Sequence, residues 1–212
     1  MTSIDGYAFR GCSNLTKITC YAISCTSFVS AFEGIEDNIT SFTFGEEVET
    51  IPSGICLGMS KLTSITIPER VTNIGRGAFN GCSGLTNITI PESVTSIEDY
   101  SFANCTNIKT IYCRSQEPPV CGNLALAGID TWDCTLYVPD GKEEEYMNAP
   151  QWEEFFFIEE ITGIDAPKVD KSGNATFDIY DMSGRMVRKG ATTTDGLKAG
   201  LYIINGRKVL VE

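Results

Sequence analysis

The sequence of 212 residues contains no histidine. Histidine is the most common general base near neutral pH and the most common metal ligand, so its absence removes the usual route to both kinds of site. There is also no Cys-x-x-Cys pair, which argues against bound zinc. No Gly-x-Ser-x-Gly elbow, phosphate-binding loop or calcium-binding loop is present either. These absences predict a protein with no catalytic site, no metal and no cofactor.

Long hydrophobic runs and basic residues are scarce as well. The longest apolar stretches, such as that around 154–161, are far shorter than the roughly 20 residues that span a bilayer. The first residues lack the basic and apolar regions of a signal peptide. There are 16 Lys and Arg against 28 Asp and Glu, a formal net charge of −12. Because such a chain is repelled by nucleic acids and anionic membranes, we expect neither nucleic-acid binding nor membrane insertion.

An internal repeat fills the first half of the chain. Its copies read LTKITC, ITSFTF, LTSITI, LTNITI and IKTIYC, and they start at Leu15, Ile39, Leu62, Leu85 and Ile108, which are 24, 23, 23 and 23 residues apart. One copy cannot bury both of its apolar edges, whereas stacked copies can, so this period predicts a solenoid. The alternation within each copy predicts a strand. A second apolar set, including Val71, Ile74 and Phe79, predicts an opposite wall that ends in a short helical or 3₁₀ turn.

Two of the copies are irregular. The second has one extra residue and no cysteine, and the third has Cys56 in the phenylalanine position and Met59 in the cysteine position. We expect a local bulge at the second copy and no break in the stack.

Of the nine cysteines, Cys12, Cys82 and Cys105 share one position of the repeat, and Cys20 and Cys113 share another. Cys20 and Cys113 occupy a strand position that isoleucine fills in other copies, which indicates buried thiols that pack as small hydrophobes. Cys121 and Cys134 lie outside the repeat pattern, which makes them the best candidates for a disulfide.

The unit IGRGAFNGCSGLTNITIPESVTSI, residues 74–97, resembles the BspA-like, or Treponema-type, leucine-rich repeat. The resemblance covers residue 2 to about residue 115. It implies a right-handed leucine-rich-repeat β solenoid of parallel strands with short 3₁₀ or helical turns. It also implies a cell-surface or secreted protein, since several members of the family are adhesins.

Four segments follow from composition. Residues 1–115 hold about five repeats, and residues 116–161 form an acidic cap in which CTLYVP adds a strand and Trp152, Phe155, Phe157 and Ile158 supply core packing. Residues 162–174 read as a linker. Residues 175–212 read as a small antiparallel β module with turns at Ser183–Gly184 and Asn205–Gly206. The net charge changes from −9 over residues 130–160 to +3 from residue 171 onward, which supports two units.

The last segment carries a second resemblance. IYDMSGRMV and GLYIINGRKVLV are similar to the C-terminal β modules of Bacteroidetes exported proteins, including the sorting domain of type IX secretion. The first copy begins in phase within a repeat, so we expect the natural protein to continue before residue 1. The exposed end of the first coil would then make a crystal or dimer contact.

The outward side chains of the strands form the candidate binding surface, which we call the threonine face. Its members are Thr16, Lys17, Thr19, Thr40, Ser41, Thr43, Thr63, Ser64, Thr66, Thr86, Asn87, Thr89, Lys109, Thr110 and Tyr112. Threonine rows also suit β-ladders, so they have a structural interpretation too. The face is polar and nearly free of aromatic rings, with only Tyr112 and, near the other end, Tyr21 available to stack on a sugar. Short hydroxyl side chains fit an extracellular protein or glycan surface better than a small-molecule pocket.

The sequence therefore predicts a non-enzymatic surface protein that recognises host or microbial proteins or glycans. One alternative is an architectural stalk that presents a missing N-terminal unit. Another is a glycoside hydrolase that uses two cap carboxylates about 5–10 Å apart. The acids concerned are Glu143, Glu144, Glu145, Glu153 and Glu154, and we expect these to be solvated helix faces.

Overall fold

The computed structural model describes residues 4–21, 25, 27–28, 30–161, 168–169, 175–181, 186–191, 193, 197–204 and 207–211. The chain divides into two compact units, Met1–Glu160 and Ile161–Glu212. The first unit is a β solenoid of about six coils built from parallel strands, which confirms the predicted fold class.

Two walls of short strands line the solenoid. In chain order the strands are β1 (Lys17–Cys20), β2 (Ser41–Phe44), β3 (Thr50–Ile51), β4 (Asn73–Ile74), β5 (Asn87–Ile90), β6 (Ser96–Ile97), β7 (Thr110–Cys113), β8 (Val120–Cys121), β9 (Thr135–Val138) and β10 (Phe157–Glu160). The first wall comprises the pair β1–β2 and the sheet β5–β7–β9–β10, and the second wall is the sheet β3–β4–β6–β8. All neighbours in both walls are parallel, as the repeat requires.

A third row of hydrogen bonds joins the coils at the turns that carry the phenylalanines. The Phe79 N–H donates to the Ser101 carbonyl and the Gly81 N–H donates to the Ala103 carbonyl, both at 2.8 Å. Two residues of positive φ flank this row in every coil. The first is Tyr7, Ser30, Gly54, Gly77, Tyr100 or Leu124, and the second is Gly11, Gly34, Gly58, Gly81, Asn104 or Gly128. The glycine of the repeated Gly-Cys motif therefore serves a left-handed backbone, which asparagine also tolerates.

The core lies between the two walls and these turns. Phe9 stacks on Phe32 at 4.8 Å between ring centroids, and Phe79 stacks on Phe102 at 5.1 Å. Cys20 and Cys113 are both buried, which confirms that these thiols point inward. Cys82 and Cys105 are fully buried, and each thiol donates to a carbonyl of the preceding coil, Cys56 and Phe79 respectively.

The third copy does not form the strand that its pattern predicts. Among the described residues, no backbone hydrogen bond joins 63–67 to β2 or β5, although Ile67 remains buried. We attribute this to Phe42 and Phe44, which occupy inward positions where other copies have isoleucine or cysteine. The Phe44 ring lies edge-on to Phe79 of the fourth coil at 6.4 Å, so it crosses the layer of the third coil.

A cleft opens between the second and third coils. It has a volume of about 250 Å³ and is lined by Phe28, Ser30, Ala31, Phe32, Glu33, Glu36, Gly54 and Leu57. In the described part of the turn row, only the Phe28 N–H bonds forward from the second coil to the third, to the Ser53 carbonyl. The extra residue of the second copy lies in this region, where we expected a bulge.

The array continues into the segment assigned to the cap. Strands β8 and β9 extend the two walls by one coil, and β10 adds a further strand. A short helix, α1 (Glu143–Met147), and a 3₁₀ turn, Trp152–Glu154, then close the end. The Tyr146 hydroxyl donates to the Ser115 carbonyl at 2.9 Å and the Trp152 indole N–H donates to the Pro119 carbonyl at 2.9 Å. Both aromatic side chains are fully buried.

One expectation about this segment is wrong, and one candidate disulfide is not formed. Phe157 is 45% exposed rather than part of the core, because it lies on the outward side of β10. Cys121 and Cys134 are both free thiols, because β8 and the start of β9 belong to different walls. Trp152 and Phe155 are buried as predicted, and Ile158 is half-buried.

The second unit contains antiparallel strands. These are β11 (Lys168–Val169), β12 (Ala175–Asp181), β13 (Met186–Ala191), β14 (Gly200–Ile204) and β15 (Arg207–Val211). β12 pairs with β11, β13 and β14, and β14 pairs with β15. The turns predicted at 183–184 and 205–206 lie outside the described residues, as does the predicted linker apart from 168–169.

Candidate recognition surface

Every residue of the threonine face is accessible to solvent. Ser41, Thr89, Thr110 and Tyr112 are half-buried, and the other members are exposed. Thr63, Ser64 and Thr66 are exposed on the third coil, outside any strand. The face therefore exists as an outward surface, but it is interrupted where the third copy leaves the ladder.

Strand register brings these side chains into rows. Lys17 lies beside Ser41 and Thr19 beside Thr43 on the first two coils. On the later coils one row comprises Asn87, Thr110, Thr135 and Phe157, and the next comprises Thr89, Tyr112, Tyr137 and Glu159. The Tyr112 and Tyr137 rings are stacked at 4.8 Å. Aromatic side chains therefore enter both rows on the later coils, as Phe157 in the first row and as Tyr112 and Tyr137 in the second.

Three exposed rings lie at that end of the wall, and we call them the aromatic patch. Trp132, Phe156 and Phe157 are 70%, 60% and 45% exposed. Trp132 stacks on Phe156 at 4.6 Å with an interplanar angle of 19°, and Phe156 meets Phe157 edge-on at 4.9 Å. The three rings therefore form one contiguous apolar surface.

Hydrogen bonds donated by the backbone N–H groups of Phe156 and Trp132 hold the patch in place. The Phe156 N–H donates to the Thr131 carbonyl at 3.1 Å, which ties the residue before β10 to the turn before β9. The Asp130 carboxylate accepts from the Trp132 N–H at 3.1 Å and fixes that turn. Phe157 itself lies in the β10 ladder opposite Thr135.

Sequence reasoning missed the aromatic patch. Trp132 lies outside the repeat pattern, and the run Phe155–Phe157 contains no alternation from which an outward ring could be recognised. The usable signal was position: Trp132 precedes the predicted strand CTLYVP, so it falls in a turn. The fifteen residues of the threonine face include Tyr112 as their single aromatic ring, and the exposed rings lie beyond them, at the end of the first wall.

An ion pair joins the threonine face to the patch. The Lys109 ammonium donates to the carboxylate of Asp133, next to Trp132 in sequence. This hydrogen bond raises the pKa of Lys109 above its usual value, so the side chain stays charged.

The acids considered for catalysis are dispersed over the cap. Glu143, Glu144 and Glu145 lie in α1, and the pKa of Glu145 is lowered by a hydrogen bond from Lys142. Glu153 and Glu154 are the exposed residues of the 3₁₀ turn Trp152–Glu154. A hydrogen bond with Glu160 raises the pKa of Asp140, and both side chains are accessible to solvent. Within the described ranges, no three Cys, Asp or Glu side chains are close enough to hold a metal ion.

One protein family matches the sequence of this chain. A profile of the BspA type leucine rich repeat region matches residues 1–109 in six copies. No curated protein matches the chain. No helix in the described part of the chain is long and apolar enough to cross a membrane.

The similar solved structures include two bacterial repeat proteins. A leucine-rich repeat protein from Bacteroides ovatus is 19% identical, with a TM-score of 0.41 over 76% of this chain and 55% of that one. A leucine rich cell surface protein from Faecalibacterium prausnitzii is 18% identical, with a TM-score of 0.33 over 81% of this chain and 48% of that one. The chain thus spans about half the length of each.

Proposed function

Because the chain belongs to the BspA type leucine-rich repeat family, we propose that it is a non-enzymatic recognition protein of the cell surface or the extracellular space. It binds an extracellular protein or glycan through the first wall, with the threonine face as the broad contact and the aromatic patch as its anchor. Several proteins that carry such repeats are adhesins, and the same role is proposed here.

The observation that carries this proposal is the exposure of the aromatic patch. Hydrating large apolar rings is unfavourable, and contiguous exposed apolar surfaces are typical of interaction sites. Aromatic residues are also enriched among those that dominate binding energy. An architectural stalk needs no such rings at the end of its strand wall. The patch therefore favours recognition over the stalk.

Binding of the full chain to an array of glycans and extracellular-matrix proteins tests the proposal. One variant changes Thr63, Ser64, Thr66, Thr86, Asn87 and Thr89 to lysine, and a second combines Trp132→Ala with Phe156→Ala. The control carries Thr72→Lys and Thr95→Lys, two exposed positions beside the second wall. We expect a hit that the control keeps and that the patch variant loses.

Two results would count against the proposal. A blank array with folded wild-type protein supports the stalk instead. A hit that all three variants retain shows that recognition does not use the first wall. Circular dichroism of each variant establishes that a lost signal reflects binding and not unfolding.

A further inference from the structure

The surroundings of the aromatic patch indicate the chemistry of its partner. Resting on the proposed recognition function, we propose that the patch takes a cationic protein segment that presents arginine or lysine side chains. The exposed rings, the carboxylates near them and the acidic charge of the segment each contribute to this assignment.

The geometry of Trp132 leaves one ring face free. Its other face is stacked on Phe156, yet the side chain is 70% exposed, so the open face points to solvent. The indole face carries negative charge density and is the best aromatic acceptor for a cation. Within the described residues, the cations placed over aromatic rings are Arg10 over Tyr7 and Arg76 over Tyr100, both away from the patch.

Carboxylates lie near the rings in both segments that carry them, the turn before β9 and strand β10. The Asp130 carboxylate accepts a hydrogen bond from the backbone N–H of Trp132, which holds Asp130 beside the ring. The Asp130 side chain is exposed. Glu159 lies two residues after Phe157 on the same exposed side of β10. A guanidinium or ammonium on the open indole face would therefore lie near the Asp130 carboxylate, and Glu159 adds a second carboxylate at the Phe157 end of the patch, which favours a cationic partner.

The segment that carries the rings, residues 130–160, is strongly acidic. Between Asp130 and Glu160 there are ten acids and a single base, Lys142. Lys142 is paired with Glu117 and Glu145, away from the rings. Lys109, which precedes this segment, pairs with Asp133 beside Trp132 and offsets that carboxylate, so the assignment depends on Asp130 and Glu159. Such a field speeds the approach of cationic partners and repels sulfated or otherwise acidic glycans. A neutral glycan could stack on the rings but would gain nothing from the charge.

The test uses the full chain and a fluorescent peptide of alternating arginine and glycine, compared with a peptide in which glutamine replaces arginine and with a neutral glucan. We expect the arginine peptide to bind, the glutamine peptide to fail, and the affinity to fall as salt rises. Binding should also change the emission of Trp132, because the other tryptophan, Trp152, is fully buried.

Variants separate ring contact from charge. Trp132→Ala should weaken binding of the arginine peptide by about tenfold or more, as expected for a central aromatic anchor. Asp130→Asn with Glu159→Gln should weaken it by about threefold or more, since rim charges contribute less. Asp130→Asn keeps the acceptor for the Trp132 N–H. Tyr7→Ala, which removes a 51% exposed ring on the turn face, is the matched control and should bind like the wild type.

The outcomes distinguish this inference from the function on which it rests. Binding of the arginine peptide that survives Trp132→Ala, or tighter binding of the glucan than of the peptide, overturns the cationic partner. If the peptide fails while an array hit is lost in the patch variant, recognition stands and the cationic partner is wrong. If neither assay shows binding, both proposals are wrong.

Discussion

The third and fourth coils, residues 48–70 and 71–93, have the same length but differ in their core residues. The fourth coil has Phe79 and Cys82 in the repeated positions and contributes β5 to the first wall. The third has Cys56 and Met59 there and contributes no strand to that wall. Both coils nevertheless bury every one of these four side chains completely.

The difference shows that the stack depends on filled volume more than on residue identity. Cys56 leaves a gap in the phenylalanine column, and Phe44 reaches Phe79 from the second coil's strand across that layer. Phe42 joins the same group, with its ring 5.0 Å from Phe44. Protein interiors are close-packed, so a small residue in one element is tolerated when a neighbour supplies the missing volume.

Loss of the Phe79 ring from the fourth coil should destabilise the protein more than any change in the third coil. Phe79→Ala should lower the free energy of unfolding by about 3–5 kcal/mol, because it opens a cavity between Phe44 and Phe102. Cys56→Ala in the third coil should cost only about 1 kcal/mol. Urea unfolding followed by circular dichroism measures both. Equal losses would show that the two coils do not differ in the way their packing indicates.

Two substitutions that move side-chain volume from Phe44 to residue 56 test whether Phe44 compensates for the small Cys56. Phe44→Ile restores the common strand residue and Cys56→Phe restores the common turn residue, and each alone should cost about 1–3 kcal/mol through a cavity or overpacking. The double variant should cost less than the sum of the two by about 1 kcal/mol or more, if Phe44 fills the space that Cys56 leaves. A double-mutant cycle in urea gives this coupling. Strict additivity would contradict the compensation.

The buried thiols provide a smaller, pH-dependent difference. Burial raises the pKa of Cys105 to about 12, and burial also raises the pKa of Cys56 and Cys82. In the unfolded chain a thiol ionises near pH 8.5, so above that pH the unfolded state loses protons that the folded state retains. The stabilisation from each thiol is therefore complete below about pH 8.5 and is lost as pH rises toward 12, by about 1.4 kcal/mol per pH unit.

Unfolding at several pH values, with reductant present, checks this expectation. The free energy of unfolding should fall above pH 8.5, and Cys105→Ala should reduce the slope. A slope that the variant leaves unchanged would show that Cys105 ionises as readily in the folded protein as in the unfolded chain.

The regular spacing of the repeat predicted most of the fold, because the apolar residues recur at the same positions in most copies. The copies beginning at Leu85 and Ile108 occupy the strand positions that their alternation indicated. The third copy has an equally good pattern, yet its backbone is not paired. We attribute the missing strand to Phe42 and Phe44 of the preceding copy. The pattern within one copy does not indicate the size of side chains that contact it from another copy.

The candidate surface was predicted only in part. Alternation placed Thr19, Thr43 and Thr89 on the outer side of the first wall, where the structure has them. Phe157 could not be placed, because three consecutive phenylalanines fit either side of a strand and only the pairing of β10 with β9 decides between them. The distinction between a buried Trp152 and an exposed Trp132 likewise follows from tertiary packing and not from residue type.

The hydrogen bonds between coils run in opposite directions in different rows. In the turn row each coil donates forward, as from Phe79 to Ser101, whereas at the strand ends it donates backward, as from Lys109 to Thr86 and from Thr95 to Thr72. The peptide dipoles along the axis therefore oppose one another, unlike those of an α-helix, which add to a macrodipole. Such an array gains length without the steady addition of dipoles that a helix has, so charged side chains shape its electrostatic character coil by coil.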